Sequence, residues 1–170
     1  MSAGELHVPT GDIVELRGLD IVELAALRGR AQELATLAER RGLTLPAMGR
    51  LTVAGDQMAL CIRPQRWLLL TSVRPGVAAE WCAACAGVGV AVDLSSSLAA
   101  FSVTDPTYCA AFALGCRLDL DSQVFPAGHA AATIVAQVSV ILARRAAGLL
   151  LLTPATTARH FREWLGEQVP

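Results

Sequence analysis

Two cysteines three residues apart form the most reactive pattern in the sequence, Trp81-Cys82-Ala83-Ala84-Cys85. A Trp-Cys-x-x-Cys pattern is typical of thioredoxin-like thiol–disulfide exchange. That chemistry needs the first thiol at the N-terminal end of a helix, where the helix dipole lowers its pKa. Here Val77 to Glu80 already have helical character before Trp81, and no Gly-Pro separates the cysteines. We therefore expect thiols on an amphipathic helix, with a redox site at Cys82 and Cys85 as the alternative.

Three further groups of residues could do chemistry, and each has a simpler structural explanation. Asp119 and Asp121 are expected to form a solvated turn or cap rather than a catalytic carboxylate pair. Asp93 lies beside Ser95–Ser97, and we expect it to be a buried carboxylate that caps this turn. The serines lack the glycines of a nucleophile elbow. Gly87-Val88-Gly89 follows a helix, whereas a phosphate-binding loop precedes one, so it predicts a helix end.

Metal binding and acid–base catalysis also lack a matching set of residues. Cys82 and Cys85 alone supply only half of a zinc site. The other cysteines are scattered, and no histidine has a carboxylate or cysteine at a suggestive spacing; these residues are Cys61, Cys109, Cys116, His7, His129 and His160. The sequence therefore predicts no catalytic, cofactor-binding or metal-binding residue.

Hydrophobic periodicity predicts the elements that carry these residues. We expect a strand at Ile21–Leu27 rather than a helix, because Gly29 would cost a helix about 1 kcal/mol relative to alanine. In a further core strand, Val90, Val92 and Leu94 alternate with small or polar residues and are expected to face the core. The remaining predictions are helices at 30–41, 75–86, 105–115 and after Thr153-Pro154, and strands at 50–53, 57–62, 67–72, 99–103, 131–138, 138–143 and 148–152.

The order of these elements predicts an α+β fold of antiparallel sheets with packed helices, ferredoxin-like in character. An N-terminal arm at 1–20 precedes a single domain at 21–170, built from two similar halves at about 21–90 and 91–168. Each half runs strand, helix, three strands, helix. The third strands match in letters, Leu68-Leu69-Leu70-Thr71 against Leu150-Leu151-Leu152-Thr153.

Composition limits the possible partners of this 170-residue chain. Its net charge is -1 and it has no run of arginines, so nucleic acid and anionic membranes are not expected partners. No stretch reaches the roughly 18 uninterrupted apolar residues of a membrane span. Five scattered cysteines are consistent with the reducing cytoplasm. Apolar residues make up 54% of the chain, which favours an apolar surface that faces a partner.

Several short motifs, in order from residue 20 onward, give the chain a family resemblance. They are Leu27-Arg28-Gly29, Gly42-Leu43 with Leu45-Pro46, Arg63-Pro64 before Trp67-Leu68-Leu69, Val92-Asp93-Leu94-Ser95, Gly115 to Leu120, Phe125-Pro126 with Gly128, and Trp164-Leu165. In these motifs the chain resembles the gamma subunit of heterotetrameric sarcosine oxidase. The Asp-Leu-Ser strand is also similar to the folate-binding aminomethyltransferase fold of the glycine cleavage T-protein.

The resemblance implies a non-catalytic gamma subunit that assembles and stabilises a flavin-dependent oxidase. That complex demethylates sarcosine to glycine, with hydrogen peroxide and either formaldehyde or methylene-tetrahydrofolate as the other products. The implied partners are the alpha, beta and delta subunits. The resemblance places FAD, FMN, NAD, zinc and tetrahydrofolate in those partners and no cofactor in this chain. A stand-alone tetrahydrofolate-binding module is the alternative function that it implies.

Overall fold

The computed structural model describes residues 13–72, 76–104, 112 and 115–167. Within these ranges the chain forms ten strands and three α-helices, and they fall into two compact units. The first unit contains residues 18–95, and the second contains residues 13–17 and 96–167. Each unit has one five-stranded sheet, and its strands pair antiparallel throughout. The predicted α+β class with antiparallel sheets is confirmed.

Strand β1 (Ile13–Leu16) comes first in the chain and belongs to the second unit. The first unit follows, with a sheet in the order β3-β4-β5-β2-β6. Its elements are β2 (Leu19–Ala26), α1 (Ala31–Arg40), β3 (Arg50–Ala54), β4 (Gln57–Arg63), β5 (Arg66–Ser72), α2 (Val77–Ala84) and β6 (Gly89–Asp93).

The sheet of the second unit has the order β8-β9-β10-β7-β1. Its elements after β1 are β7 (Leu98–Val103), β8 (Ala130–Val135), β9 (Val138–Arg145), β10 (Gly148–Pro154), a short 3₁₀ turn (Ala155–Thr157) and α3 (Ala158–Glu167). The two sheets share one order, in which β3, β4, β5, β2 and β6 of the first correspond to β8, β9, β10, β7 and β1 of the second. The equivalent strands β5 and β10 carry the matched Leu-Leu-Leu-Thr letters. Strand β1 directly precedes β2 in the chain but is an edge strand of the second sheet, and β6 directly precedes β7 but is an edge strand of the first sheet.

The ends of helix α1 are set by two glycines, one before it and one after it. Leu34 and Ala38 lie on its buried face, four residues apart. Gly42 follows with a φ of 78° and donates its backbone N–H to the carbonyl of Glu39, which ends the helix in a left-handed conformation. Gly29 before the helix has a φ of 76°, so β2 cannot continue as a helix through it. The predicted strand at 21–27 is therefore confirmed in preference to the helical alternative.

Each unit has its own apolar core between its helices and one face of its sheet. In the first unit, Leu34, Val77 and Trp81 pack against buried residues of β2, β4 and β5. In the second unit, Phe161 and Leu165 of α3 pack against β7, β9 and β10. The central strands β5 and β10 are each buried along five consecutive residues. Continuous burial of this kind explains their unbroken leucine runs.

The structure corrects the expected orientation of β6. Gly89 and Ala91 face the core, whereas Val90 and Val92 are 49% and 47% exposed. A Cβ at Gly89 would lie 2.9 Å from the Ala25 carbonyl oxygen and 3.2 Å from a Leu34 methyl group. The inner face of β6 therefore has room only for small residues, and the valines lie on the opposite face.

Two other predictions concern the start of the chain and the helix at 105–115. The arm predicted at 1–20 ends earlier, because residues 13–16 form β1 and pair with β7, and β2 begins at Leu19. This pairing gives the backbone of residues 13–16 hydrogen-bond partners that a free arm would lack. Residues 1–12 and most of the helix predicted at 105–115 lie outside the described residues; of that helix, Phe112 is buried and belongs to the core of the second unit.

Candidate functional site

The Trp-Cys-x-x-Cys pattern lies at the wrong end of its helix for thiol exchange. Helix α2 begins at Val77, so Cys82 is in its sixth position, and Cys85 is the residue that ends it. The C-terminal end of a helix carries partial negative charge, which disfavours a thiolate. A thioredoxin-like site requires the opposite arrangement.

The surroundings of the two thiols agree with this placement. Cys85 is buried, and burial, together with the neighbouring Cys82, raises the pKa of its thiol above the usual range. Cys82 is exposed, and its Sγ contacts the backbone carbonyl oxygen of Ala91 at 3.1 Å. Trp81 is buried and lies under the guanidinium of Arg41, 5.2 Å from the ring centroid. The helix thus uses this motif for packing.

Asp93 and Ser95 form a local hydrogen-bonded turn. The Asp93 Oδ1 accepts bonds from the Ser95 backbone N–H at 2.9 Å and from the Ser95 hydroxyl at 2.6 Å. Both bonds hold the pKa of the Asp93 carboxyl below its usual range. Ser95 Oγ also accepts the backbone N–H of Ile21 at 3.0 Å. The capping role of Asp93 is as expected, but its side chain is exposed and not buried, because it lies at the end of an edge strand.

The second pair of carboxylates is also structural. Asp119 Oδ1 accepts the backbone N–H of Asp121, and Asp121 Oδ1 accepts that of Gln123. Both carboxylates are exposed, and each caps its own turn, as the sequence predicts. The backbone N–H of Gly89 donates to the carbonyl of Cys85 at 2.7 Å. The Gly87-Val88-Gly89 segment therefore ends helix α2, as the sequence predicts, and does not form a phosphate-binding loop at the start of a helix.

The histidines and remaining cysteines are dispersed. His129 Nδ1 lies 3.0 Å from the Pro126 carbonyl oxygen, and His160 is exposed on α3. Cys61 is buried, which raises the pKa of its thiol, and Cys116 lies beside the backbone N–H of Leu118. His7 and Cys109 lie outside the described residues. Within the ranges that the structure describes, no three His, Cys, Asp or Glu side chains come together to hold a metal ion.

A shallow cleft of about 340 Å³ lies in the first unit between α1 and the end of α2. Its charged groups are Glu33, which is bonded to Arg30 at 2.5 Å, and Arg40. The Thr36 hydroxyl in its wall donates to the Gln32 carbonyl at 3.0 Å. The residues that line the cleft are Gln32, Glu33, Thr36, Leu37, Arg40, Ala84, Ala86 and Val88. This cleft offers no nucleophile beside a base.

One exposed surface does stand out, and we call Leu27, Val90 and Val92 the edge patch. Val90 and Val92 lie on the edge strand β6, opposite Ala25 and Glu23 of β2. Leu27 directly follows β2, and its backbone N–H donates to the carbonyl of Val88, just before β6. The three side chains are 42% to 49% exposed. The Glu23 carboxylate and the Arg66 guanidinium form an ion pair at 2.8 Å on the neighbouring strands. The sequence signal for this patch is the alternation in β6. If the small residues Gly89 and Ala91 face the core, the valines between them must face outward.

In the described part of the chain, then, the fold presents two sheets with helices on them, with no converging catalytic groups and one apolar edge. Its class is the two-sheet α+β fold shared with folate-binding aminomethyltransferases. The chain is similar to a chain of the heterotetrameric sarcosine oxidase from Corynebacterium sp. U-96 in complex with pyrrole 2-carboxylate, with a TM-score of 0.81 and 24% identity. The match covers 94% of this chain and 85% of that chain.

A second similar structure is the glycine cleavage system aminomethyltransferase T from Bartonella henselae, with a TM-score of 0.66 and 12% identity. That match covers 90% of this chain but only 44% of the aminomethyltransferase chain. No protein-family model and no curated protein sequence matches the chain. In the described ranges, no helix is both long enough and apolar enough to cross a membrane.

Proposed function

We propose that this chain is the non-catalytic gamma subunit of a heterotetrameric, flavin-dependent sarcosine oxidase. Its role is to assemble and stabilise the complex. The complex demethylates sarcosine to glycine and forms hydrogen peroxide together with formaldehyde or methylene-tetrahydrofolate. The single observation that carries the proposal is the likeness to a heterotetrameric sarcosine oxidase chain over nearly the whole of both chains.

Two features of the described residues support a subunit rather than an independent enzyme. The groups capable of chemistry are engaged in turns, caps and packing, as with Asp93, Asp121 and Cys85. The edge patch exposes apolar area on an open strand, and such area is characteristic of surfaces that another protein covers. An edge strand also has unpaired backbone groups that a partner can bind.

The proposed partners are the alpha, beta and delta subunits in the cytoplasm. FAD, FMN, NAD, zinc and tetrahydrofolate belong to these partners in the proposal. This chain contributes contact surface to them and no ligand to a cofactor. Its packed cores and fully paired inner strands suit the role, because a preformed surface loses little entropy on binding.

Affinity capture from the native cell tests the proposal. A tag on this chain should capture three partner chains together with bound flavin, and the captured material should show the absorbance of a flavin. A matched variant, Val90→Ser with Val92→Ser, should fold but capture less of the partners. Recovery of this chain alone at 17.8 kDa under gentle conditions would contradict the proposal.

A stand-alone tetrahydrofolate-binding module is the second candidate, and the fold shared with an aminomethyltransferase favours it. Calorimetric titration of the isolated chain with tetrahydrofolate separates the two functions. The subunit proposal predicts no binding heat, and the module predicts a saturable one. The thiol oxidoreductase alternative is disfavoured by the position of Cys82 in α2 and by the raised pKa of Cys85.

A further inference from the structure

Two adjacent turns at one end of the first sheet carry exposed arginines. Arg63 and Arg66 flank the turn between β4 and β5, and Arg28 lies in the turn after β2; all three residues are exposed. The backbone N–H of Ala26 donates to the carbonyl of Gln65 at 3.0 Å and joins the two turns. The fold thus brings together arginines that form no basic run in the sequence. We call Arg28, Arg63 and Arg66 the basic end.

A row of paired residues connects the basic end to the edge patch. Arg63 pairs directly with Arg66, and Arg66 pairs with Ala25. Ala25 pairs in turn with Val90, so the row crosses β4, β5, β2 and β6. Residues directly opposite each other in antiparallel strands lie on the same face of a sheet. Because neighbouring strands are about 4.8 Å apart, Val90 lies roughly 10 Å from Arg66 along this row.

The charges in this row favour the approach of an anion. Like charges directly opposite each other destabilise a sheet, and Arg63 and Arg66 are such a pair. Glu23 binds Arg66 at 2.8 Å, and Arg66 remains half exposed in that ion pair. All three arginines of the basic end are therefore open to a group from another chain. A further carboxylate between Arg63 and Arg66 would turn their repulsion into attraction.

The neighbouring groups favour a protein segment over other anions. Arginine binds carboxylates through two parallel hydrogen bonds, and protein interfaces combine arginine with apolar side chains. Leu27 and Val90 beside the basic end are 42% and 49% exposed, and they fit an apolar side chain better than a phosphate backbone. The turn that carries two of the arginines is also preformed, since Pro64 restricts its own φ and the Gln65 carbonyl is bonded to Ala26.

We propose that the basic end docks an acidic segment of a partner subunit. This segment places carboxylates on Arg28 and Arg63 and an apolar side chain on the edge patch. The identity of the chain that carries the segment rests on the proposed function, whereas the preference for carboxylates does not. The preference is therefore tested on the isolated chain, and the partner is tested on the captured assembly.

Fluorescence anisotropy of a labelled hexaglutamate peptide at low ionic strength tests the preference. The wild-type chain should bind the peptide saturably, and Arg28→Ala with Arg63→Ala should weaken binding about tenfold, as expected for the loss of two exposed ion pairs. Arg117→Ala with Arg159→Ala removes the same charge from exposed positions of the second unit and should change the affinity by less than about twofold. An equal loss of affinity in the two double variants, or no binding by the wild type, would overturn the proposal.

A labelled single-stranded DNA of the same charge as hexaglutamate tests the rival anion. The DNA should bind the wild-type chain more weakly than the peptide, because its phosphates do not match the guanidinium groups and the apolar edge together. Tighter binding of the DNA that is lost in Arg28→Ala with Arg63→Ala would instead assign the basic end to nucleic acid and reject the docking of an acidic protein segment.

The captured assembly tests the partner. Arg28→Glu with Arg63→Glu should lower the amount of partner captured by about fivefold or more, because like charges now face each other. Arg117→Glu with Arg159→Glu is the matched reversal and should leave capture unchanged. Equal capture by the two reversed variants would reject the docking surface and leave the proposed function intact. If the wild type captures no partner, the proposed function fails, and the hexaglutamate result still decides the preference of the basic end.

Discussion

At the scale of single residues, the polar side chains that looked reactive in the sequence bind the backbone. One hydroxyl, that of Ser95, links the end of β6 to the start of β2 by accepting the N–H of Ile21 while donating to Asp93. Ile21 is 2% exposed, so its N–H has little access to water. Loss of this acceptor would leave a buried donor unsatisfied.

Ser95→Ala should therefore lower the free energy of unfolding by about 1–3 kcal/mol, the usual cost of an unsatisfied buried donor. Urea unfolding followed by circular dichroism measures the change. Ser96→Ala is the control, since Ser96 is exposed in the same turn and should change stability by less than about 0.5 kcal/mol. Equal effects of the two substitutions would show that the hydroxyl has no special role.

Acidification should remove the contribution of Asp93. Its folded pKa is lowered by the bonds from Ser95, so it stabilises the fold fully above its unfolded pKa, which is about 4. This contribution is lost as the pH falls through the folded pKa. The urea midpoint of wild type should exceed that of Asp93→Asn at pH 7, and the gap should narrow as the pH falls below the unfolded pKa of about 4. A gap that is constant with pH would contradict the hydrogen-bonded carboxylate.

At the scale of elements, the sequence predicts the strand β6 correctly but predicts the wrong face of it to be buried. Alternation alone predicts a strand but not which set of residues faces inward, and the larger apolar set is the natural choice for the core. Here the Ala25 carbonyl oxygen of β2 and the Leu34 side chain of α1 lie so close to Gly89 that even a Cβ there would be crowded. The distance between the helix and the sheet depends on tertiary packing, so it cannot be predicted from the sequence of β6 alone.

Gly89→Val should overpack this contact and destabilise the first unit by about 1–3 kcal/mol, because the Ala25 carbonyl oxygen is backbone and cannot move aside easily. Val90→Thr is the matched outward change and should leave the isolated chain within about 0.5 kcal/mol of wild type. Thermal unfolding of both variants measures this. A stable Gly89→Val variant would show that the inner face of β6 is loosely packed.

The turn between β8 and β9 offers a gain in stability. Ala136 and Gln137 have φ angles of 47° and 65°, which is the geometry of a type I′ turn that favours Asn-Gly. Ala136→Asn with Gln137→Gly should raise the free energy of unfolding by about 1 kcal/mol, since left-handed backbone strains alanine and glutamine.

The turn between β9 and β10 is the control. Neither Ala146 nor Ala147 has a positive φ, so the same Asn-Gly change there should bring no gain. Differential scanning calorimetry compares the two turns. A gain at both turns, or at neither, would contradict the conformational explanation.

At the scale of the whole molecule, most of the fold follows from the sequence. Local signals in the sequence include the glycines next to α1, Gly29 and Gly42, the matched leucine runs in β5 and β10, and the two-residue hairpin turns. The repeated order of elements could therefore be predicted. The pairing of β1 with β7 and of β6 with β2 could not be predicted, because strand partners far apart in the chain leave no local pattern.

The candidate surfaces were less predictable than the fold. The apolar excess of the composition predicts a partner-facing surface, but the position of the edge patch depends on the face of β6. The capping roles of Asp93, Asp119 and Asp121, in contrast, could be predicted, because each carboxylate binds a backbone N–H only two residues further along the chain.

The most direct test of the central claim compares sarcosine oxidation by the isolated chain with that by the assembly captured through it. The account predicts sarcosine-dependent hydrogen peroxide from the captured, flavin-containing assembly and none from the chain alone, even after addition of FAD, FMN and NAD. Peroxide formation by the isolated chain, or a captured assembly that leaves sarcosine untouched, would contradict it.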